Sequence, residues 1–250
     1  MDINTLLMVF VLLGLATLLQ TLSGFGFGLF VVSSFTLFSI MPLTATTFLV
    51  SFLSLFNAAS LVFKNAHQVN RMAYKYILLA GLPTLVIGFA LLEYLSSSQS
   101  DFLKVILGVC ILACCALLLM KRTLAPPSKR RRGFVIAGAL GGVLGGLFST
   151  FGPPIVYQCY RQNWPVDEIR ITLLAVFSTT ALVRLVLVPF GTLPHYETLL
   201  FCCAGVPFVL LVTRFARRLS TYINPLWIRA LALITLACSG IALILSNVSF

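Results

Sequence analysis

Ten apolar segments separated by short polar loops occupy nearly the whole chain, at about residues 5–22, 25–41, 43–63, 74–95, 102–120, 134–149, 153–160, 170–188, 197–213 and 226–246. Several approach the roughly 20 residues that a helix needs to cross about 30 Å of hydrocarbon. None alternates with the period of two expected of a membrane β-barrel strand. With 60% hydrophobic and 9% charged residues, the 250-residue chain has too little polar surface to coat a water-soluble globule. The pattern specifies an all-α polytopic membrane protein.

The net charge of +11 sits in short basic clusters between the apolar runs, where cytoplasmic loops of membrane proteins carry it. No polar stretch is long enough to form a nucleic-acid reading module, so no nucleic-acid partner is expected. Nearly all of the seven cysteines lie inside apolar runs without metal-ligand spacing, and His67 and His195 fall in separate loops. No metal and no cofactor are expected. Met1 to Asn4 contain no basic residue, so the first apolar run reads as a retained segment rather than a cleaved leader.

The ten segments fall into two fives that resemble each other. Ala80–Pro83 recurs as Ala204–Pro207, Leu95–Ser96 as Leu219–Ser220, and Leu112–Cys114 as Leu236–Cys238, each 124 positions later. Ser23–Gly26 matches Ser149–Gly152 at an offset of 126, a shift that one change of loop length explains. The chain then divides into a first membrane repeat, 1–120, a basic linker, 121–132, broken by Pro126 and Pro127, and a second repeat, 133–250.

Lysine and arginine accumulate on the cytoplasmic side of short loops. Lys64, Arg71 and Lys75 put the loop after the third segment inside, and Lys121 to Arg132 put the linker inside. The corresponding loop of the second half, Pro189 to Glu197, has neither and belongs outside, while Arg214, Arg217 and Arg218 mark the next loop as inside. Matching loops therefore face opposite sides and both termini lie outside, which makes the two units inverted-topology repeats. Each repeat consists of a glycine-rich helical hairpin plus three transmembrane helices. The eight-residue arm before Arg161 is too short to cross, so the hairpins are expected to penetrate partway.

The hairpin tips hold the residue types that could carry chemistry. Ser23, Gly24, Gly26 and Gly28 surround the first, and Ser149, Thr150, Gly152, Pro153 and Pro154 the second. Glycine and proline break helices there, and a helix starting at Pro153 would turn its free N–H groups and positive dipole end toward the tip. Such an end binds anions. An irregular tip in lipid must be buried in protein, line water or bind a ligand, and two tips entering from opposite faces could meet near the midplane. Close helix packing by glycine is the competing explanation, although it does not require the adjacent hydroxyls.

The six acidic residues, Asp2, Glu93, Asp101, Asp167, Glu168 and Glu197, fall at termini, loops or segment ends, so a mid-membrane carboxylate relay lacks its residues. Arg184 is the cation well within a span; it either meets the substrate or snorkels to the outer interface one turn from Pro189. Asn57 and Gln158 either donate to an anion or join helices, and Gln20 is a weaker case of the same kind. No enzyme motif is present. The partners implied are a small anion and the lipid bilayer, with proton or sodium coupling and homo-oligomer formation left open. A non-transporting scaffold subunit and an anion channel are the alternative functions.

On these residues the chain resembles the sulfite exporter family TauE/SafE, whose members repeat a glycine-rich hairpin and carry Gly-Pro-Pro in the second. Gly141, Gly142, Gly145, Gly146, Gly152, Pro153 and Pro154 carry the likeness in the second half, and Ser23, Gly24, Gly26, Gly28 and Pro42 in the first. Phe27 departs from it, standing where the family commonly has glycine. The resemblance implies a multi-pass permease of the bacterial inner membrane that exports sulfite, organosulfonates or related small anions.

Overall fold

The computed structural model describes residues 3–98, 100–119 and 130–219, together with 234, 237–242 and 244–245. Among these residues there are helices and no strands. The first half contributes α1 (Ile3–Ser23), α2 (Phe27–Leu37), α3 (Leu43–Asn65), α4 (Arg71–Ser98) and α5 (Ser100–Leu119). The second contributes α6 (Arg130–Phe148), α7 (Gly152–Tyr160), α8 (Val166–Leu187) and α9 (Tyr196–Leu219). Nine of the ten expected segments are thus helices, and the tenth, 226–246, lies mostly outside the described residues. Ser220 and Leu236, each one residue of a repeat match, and residues 121–129 of the basic linker also lie outside the described residues. Arg130 to Arg132, expected to belong to that linker, form the first turn of α6. Arginine is a good helix former, and nothing after Pro127 stops the helix from starting there.

Six helical stretches are long and apolar enough to cross a membrane: Asn4–Ser23, Leu43–Gln68, Arg71–Ser96, Arg131–Phe148, Val166–Phe190 and Tyr196–Leu219. Large apolar side chains such as Leu7, Phe63, Leu79, Ile87, Leu211 and Phe215 face outward from them, as lipid requires. The protein is an all-α polytopic membrane protein.

Two prolines set matching helix starts. Pro42 (φ −53°, ψ 148°) precedes α3 and Pro165 (φ −54°, ψ 143°) precedes α8, each extended before the first turn. Pro83 and Pro207 lie inside α4 and α9, where each removes one intrahelical hydrogen bond. The return arms α2 and α7, of 11 and 9 residues, extend about 16 and 14 Å and do not reach across a bilayer.

The centre of the bundle is α3 against α8, with α4 along α6 and α1 along α9 on either side, and α3 also meeting α9 as α8 meets α4. The α4–α6 contact is backbone on backbone. A methyl group at Gly138, Gly142 or Gly146 would strike the carbonyl oxygens of Ile77, Gly81 and Leu85 respectively, so one stripe of α6 must be glycine. Gly141 and Gly145 face the other way, against Ile155 and the Phe151 ring. Packing therefore accounts for these five glycines, and it seats α6 between α4 and its own return arm.

Candidate functional site: the junction of the two hairpin tips

Residues 24–26 turn the chain from α1 into α2 through two left-handed glycines, Gly24 (φ 83°) and Gly26 (φ 101°), a conformation that costs other residues about 1–2 kcal/mol. The Ser23 hydroxyl lies 2.6 Å from the Leu19 carbonyl and 2.8 Å from that of Phe25, and accepts the Phe25 amide at 3.3 Å. It is committed to holding the turn. Gly24 packs against the Arg170 side chain, and neither Ser23 nor Gly24 reaches the cavity described below.

In the second hairpin Ser149 takes the left-handed position (φ 53°) after α6, its amide donating to the Gly145 carbonyl at 3.0 Å. The two tips touch. A Cβ on Gly28 would lie 2.6 Å from the Ser149 carbonyl oxygen, and one on Gly152 would lie 3.9 Å from the Phe25 Cβ.

A cavity of about 40 Å³ lies at this junction, the scale of a few waters or one small oxyanion. Its walls include Gly26, Phe27, Gly28 and Leu29 from the first tip, Ser149, Thr150, Phe151 and Gly152 from the second, Ser51 and Ser54 from α3, and Thr180 and Arg184 from α8.

Arg184 is 3% exposed. Its Nε and Nη2 donate to the Gly146 carbonyl at 3.3 and 3.2 Å, its Nη1 donates to Ser51 Oγ at 3.2 Å, and its guanidinium lies 5.5 Å from the Phe89 ring centroid. Snorkelling is therefore not its arrangement. The Ser51 and Ser149 hydroxyls are 2.8 Å apart, and both reach the Thr47 carbonyl, at 2.9 and 2.8 Å. Their two protons are used within the protein. Thr150, 5% exposed, makes no side-chain hydrogen bond among the described residues and opens onto the cavity.

The helix ends differ from the sequence expectation. Helix α7 starts at Gly152 rather than Pro153, and because prolines have no N–H its first turn lacks two donors and keeps the Gly152 amide. Pro153 and Pro154 shape the helix start but do not line the cavity. Helix α2 is the richer donor: its N-cap is Gly26 without a side-chain cap, the first closed bond is Phe30 N–H to the Gly26 carbonyl, and Phe27, Gly28 and Leu29 all border the cavity.

Asn57 and Gln158 do not reach the cavity. Asn57 donates to Gln20 Oε1 at 2.6 Å and accepts from Thr213 at 2.7 Å and Thr21 at 3.4 Å, while Gln20 donates to Ser54 Oγ at 3.0 Å. This buried network ties α1, α3 and α9 together, with Gln20 and Ser54 at the cavity wall. Gln158 packs against Gly133 at the far end of α6. Ser51, Ser54 and Thr180 were not expected, yet their spacing was a usable signal: Thr47, Ser51 and Ser54 recur at helical period on α3, as Thr180 and Arg184 do on α8.

Arg184 also borders a second cavity of about 230 Å³, lined by Thr44, Phe89, Glu93, Thr192 and His195. There Glu93 accepts the Thr192 amide at 2.9 Å and, over a shorter distance, its hydroxyl. No group of three metal-ligating side chains occurs among the described residues.

The family profile described as Sulfite exporter TauE/SafE matches residues 9–243. A protein of Cupriavidus necator named probable sulfite/organosulfonate exporter TauE is 31% identical over 242 residues, covering 95% of this chain and 93% of that one. No solved structure matches the chain. With a profile match over nearly its full length and a relative aligned end to end, the chain belongs to the sulfite exporter TauE/SafE family.

Proposed function

We propose that this protein is a secondary transporter that exports small anions, such as sulfite or organosulfonates, across the bacterial inner membrane. The observation that carries this is the buried guanidinium of Arg184 at a cavity without any carboxylate. A cation in the membrane costs roughly 2.5–3.5 kcal/mol on insertion scales unless paired. Here its hydrogen-bond partners are a carbonyl and a hydroxyl, and the Glu93 carboxylate acts on it only across the neighbouring cavity, without a direct hydrogen bond. An anion supplies the missing charge.

Donors converge on the same space: the first-turn amides of α2, the Gly152 amide and the Thr150 hydroxyl. Gly26, Gly28, Thr150, Gly152 and Arg184 are proposed to meet the anion. Ser149 and Ser51 hold Arg184 in place, and Ser23, Gly24, Pro153 and Pro154 set the shape of the tips. Phe27 and Phe177 supply apolar wall for the organic part of a sulfonate.

Transport by alternating access fits two inverted repeats, 1–120 and 133–250, joined by the 121–132 linker on the cytoplasmic side. The helix pairings support the duplication, since exchanging each helix for its counterpart converts α4 on α6 into α9 on α1, and α3 on α9 into α8 on α4. Cavities on two sides of Arg184 support a gated route. The family is one of transporters, and no enzyme activity is proposed. Counterflow of labelled sulfite into proteoliposomes tests the function: uptake above protein-free vesicles supports it, and its absence with sulfite, sulfonates and carboxylates alike defeats it.

A further inference from the structure

We infer that the cavity selects singly charged oxyanions, so that sulfite passes as hydrogensulfite, carrying its proton with it, and dianions such as sulfate are rejected. This rests on the transporter function proposed above. Arg184 is the one charged side chain on the cavity wall: α1 contributes Gln20, α2 its backbone and Phe27, α3 Ser51 and Ser54, α4 Leu85, α6 Gly145, the second tip Ser149 to Gly152, and α8 Phe177, Thr180, Ala181 and Arg184. The site has one formal positive charge. Glu93 and His195 line the neighbouring cavity with Arg184, and Glu93 opposes a second negative charge.

The magnitudes favour the monoanion. The cost of removing an ion from water grows with the square of its charge, so a dianion pays roughly four times what a monoanion does. Its attraction to a single guanidinium only doubles. Neutral donors add hydrogen bonds but no net charge. A monoanion balances the guanidinium, whereas a dianion leaves a further negative charge in hydrocarbon, which Glu93 across the neighbouring cavity also repels.

The Thr150 hydroxyl adds a polar group that suits a protonated oxyanion. It is 95% buried by its 5% exposure, without a protein partner among the described residues, and it can donate to an anionic oxygen or accept from a protonated one. Hydrogensulfite presents both kinds of oxygen.

The test is competition against labelled sulfite counterflow in proteoliposomes, using methanesulfonate, a monoanion at every relevant pH, and sulfate, a dianion throughout. Methanesulfonate is expected to compete at both mildly acidic and mildly alkaline pH, more effectively at the alkaline one as hydrogensulfite falls, and sulfate about tenfold or more weakly at both. Sulfite flux at fixed total sulfite should fall as pH rises, following the hydrogensulfite fraction. Sulfate competing within about twofold of methanesulfonate, or sulfite flux that rises with pH, overturns the inference while leaving the transporter function standing. If neither competitor acts, the sulfite profile decides in the same way. Absence of counterflow by every anion removes the transporter function itself, and this inference with it.

Discussion

Arg184 caps the end of α6 through Gly146: two nitrogens of its guanidinium donate to that one carbonyl, at 3.3 and 3.2 Å. Gly146 lies in the last turn of α6, where carbonyls lack intrahelical partners and the negative end of the helix dipole favours a cation. The helix end thus stabilises the charge that the bilayer opposes. It also couples them mechanically, because the second hairpin cannot shift without either carrying the guanidinium along or releasing it.

Replacing Arg184 with glutamine is expected to lower anion counterflow by about 30-fold or more, the loss of one buried charge-assisted contact of about 2–3 kcal/mol. Lysine should not rescue it, since an ammonium cannot bridge Gly146 and Ser51 with a planar fork. Proteoliposome flux, normalised to inserted protein, checks both. Wild-type flux from the glutamine variant would remove Arg184 from the site.

Thr150 and Ser149 should separate in function. Thr150→Val keeps the shape and removes a free hydroxyl, so apparent anion affinity is expected to weaken about two- to tenfold with little change in melting temperature. Ser149→Ala breaks a bonded hydroxyl and should instead lower thermal stability by about 1 kcal/mol. Affinity comes from concentration-dependent flux, and stability from unfolding in detergent. Equal effects of the two on affinity would contradict the assignment of free and committed protons.

A methyl group at Gly146 would meet the Leu85 carbonyl and the Phe89 amide of α4. Gly146→Ala is therefore expected to force α4 and α6 apart and destabilise the protein by about 1–3 kcal/mol. By contrast, alanine at Gly14, where the nearest atom to a new Cβ is the Phe208 ring edge at 3.5 Å, should be nearly neutral. Thermal unfolding of the two variants side by side gives the comparison.

Cysteines placed at the exposed His67 and His195 test the inversion directly. A membrane-impermeant thiol reagent is expected to label His195→Cys in intact cells and His67→Cys only after permeabilisation. Labelling of both from one side would end the inverted-repeat proposal.

Apolar run length and the glycine and proline breaks at the tips made the helices legible in the sequence, because each depends on a few neighbouring residues. The scarcity of mid-span carboxylates was legible for the same reason. Which hydroxyl stays free was not. Ser149 and Thr150 are adjacent, yet one is used by Thr47 and Ser51, about a hundred residues earlier, and the other opens onto the cavity. Arg184 finds partners 38 and 133 positions away, and Asn57 joins helices instead of meeting an anion. These outcomes were decided by the depth and rotation of one helix against another, set by the glycine seam of α4 and α6 and by the contact between the tips. A hydrogen bond between helices depends on where both side chains point, and local sequence determines only which residues share a face.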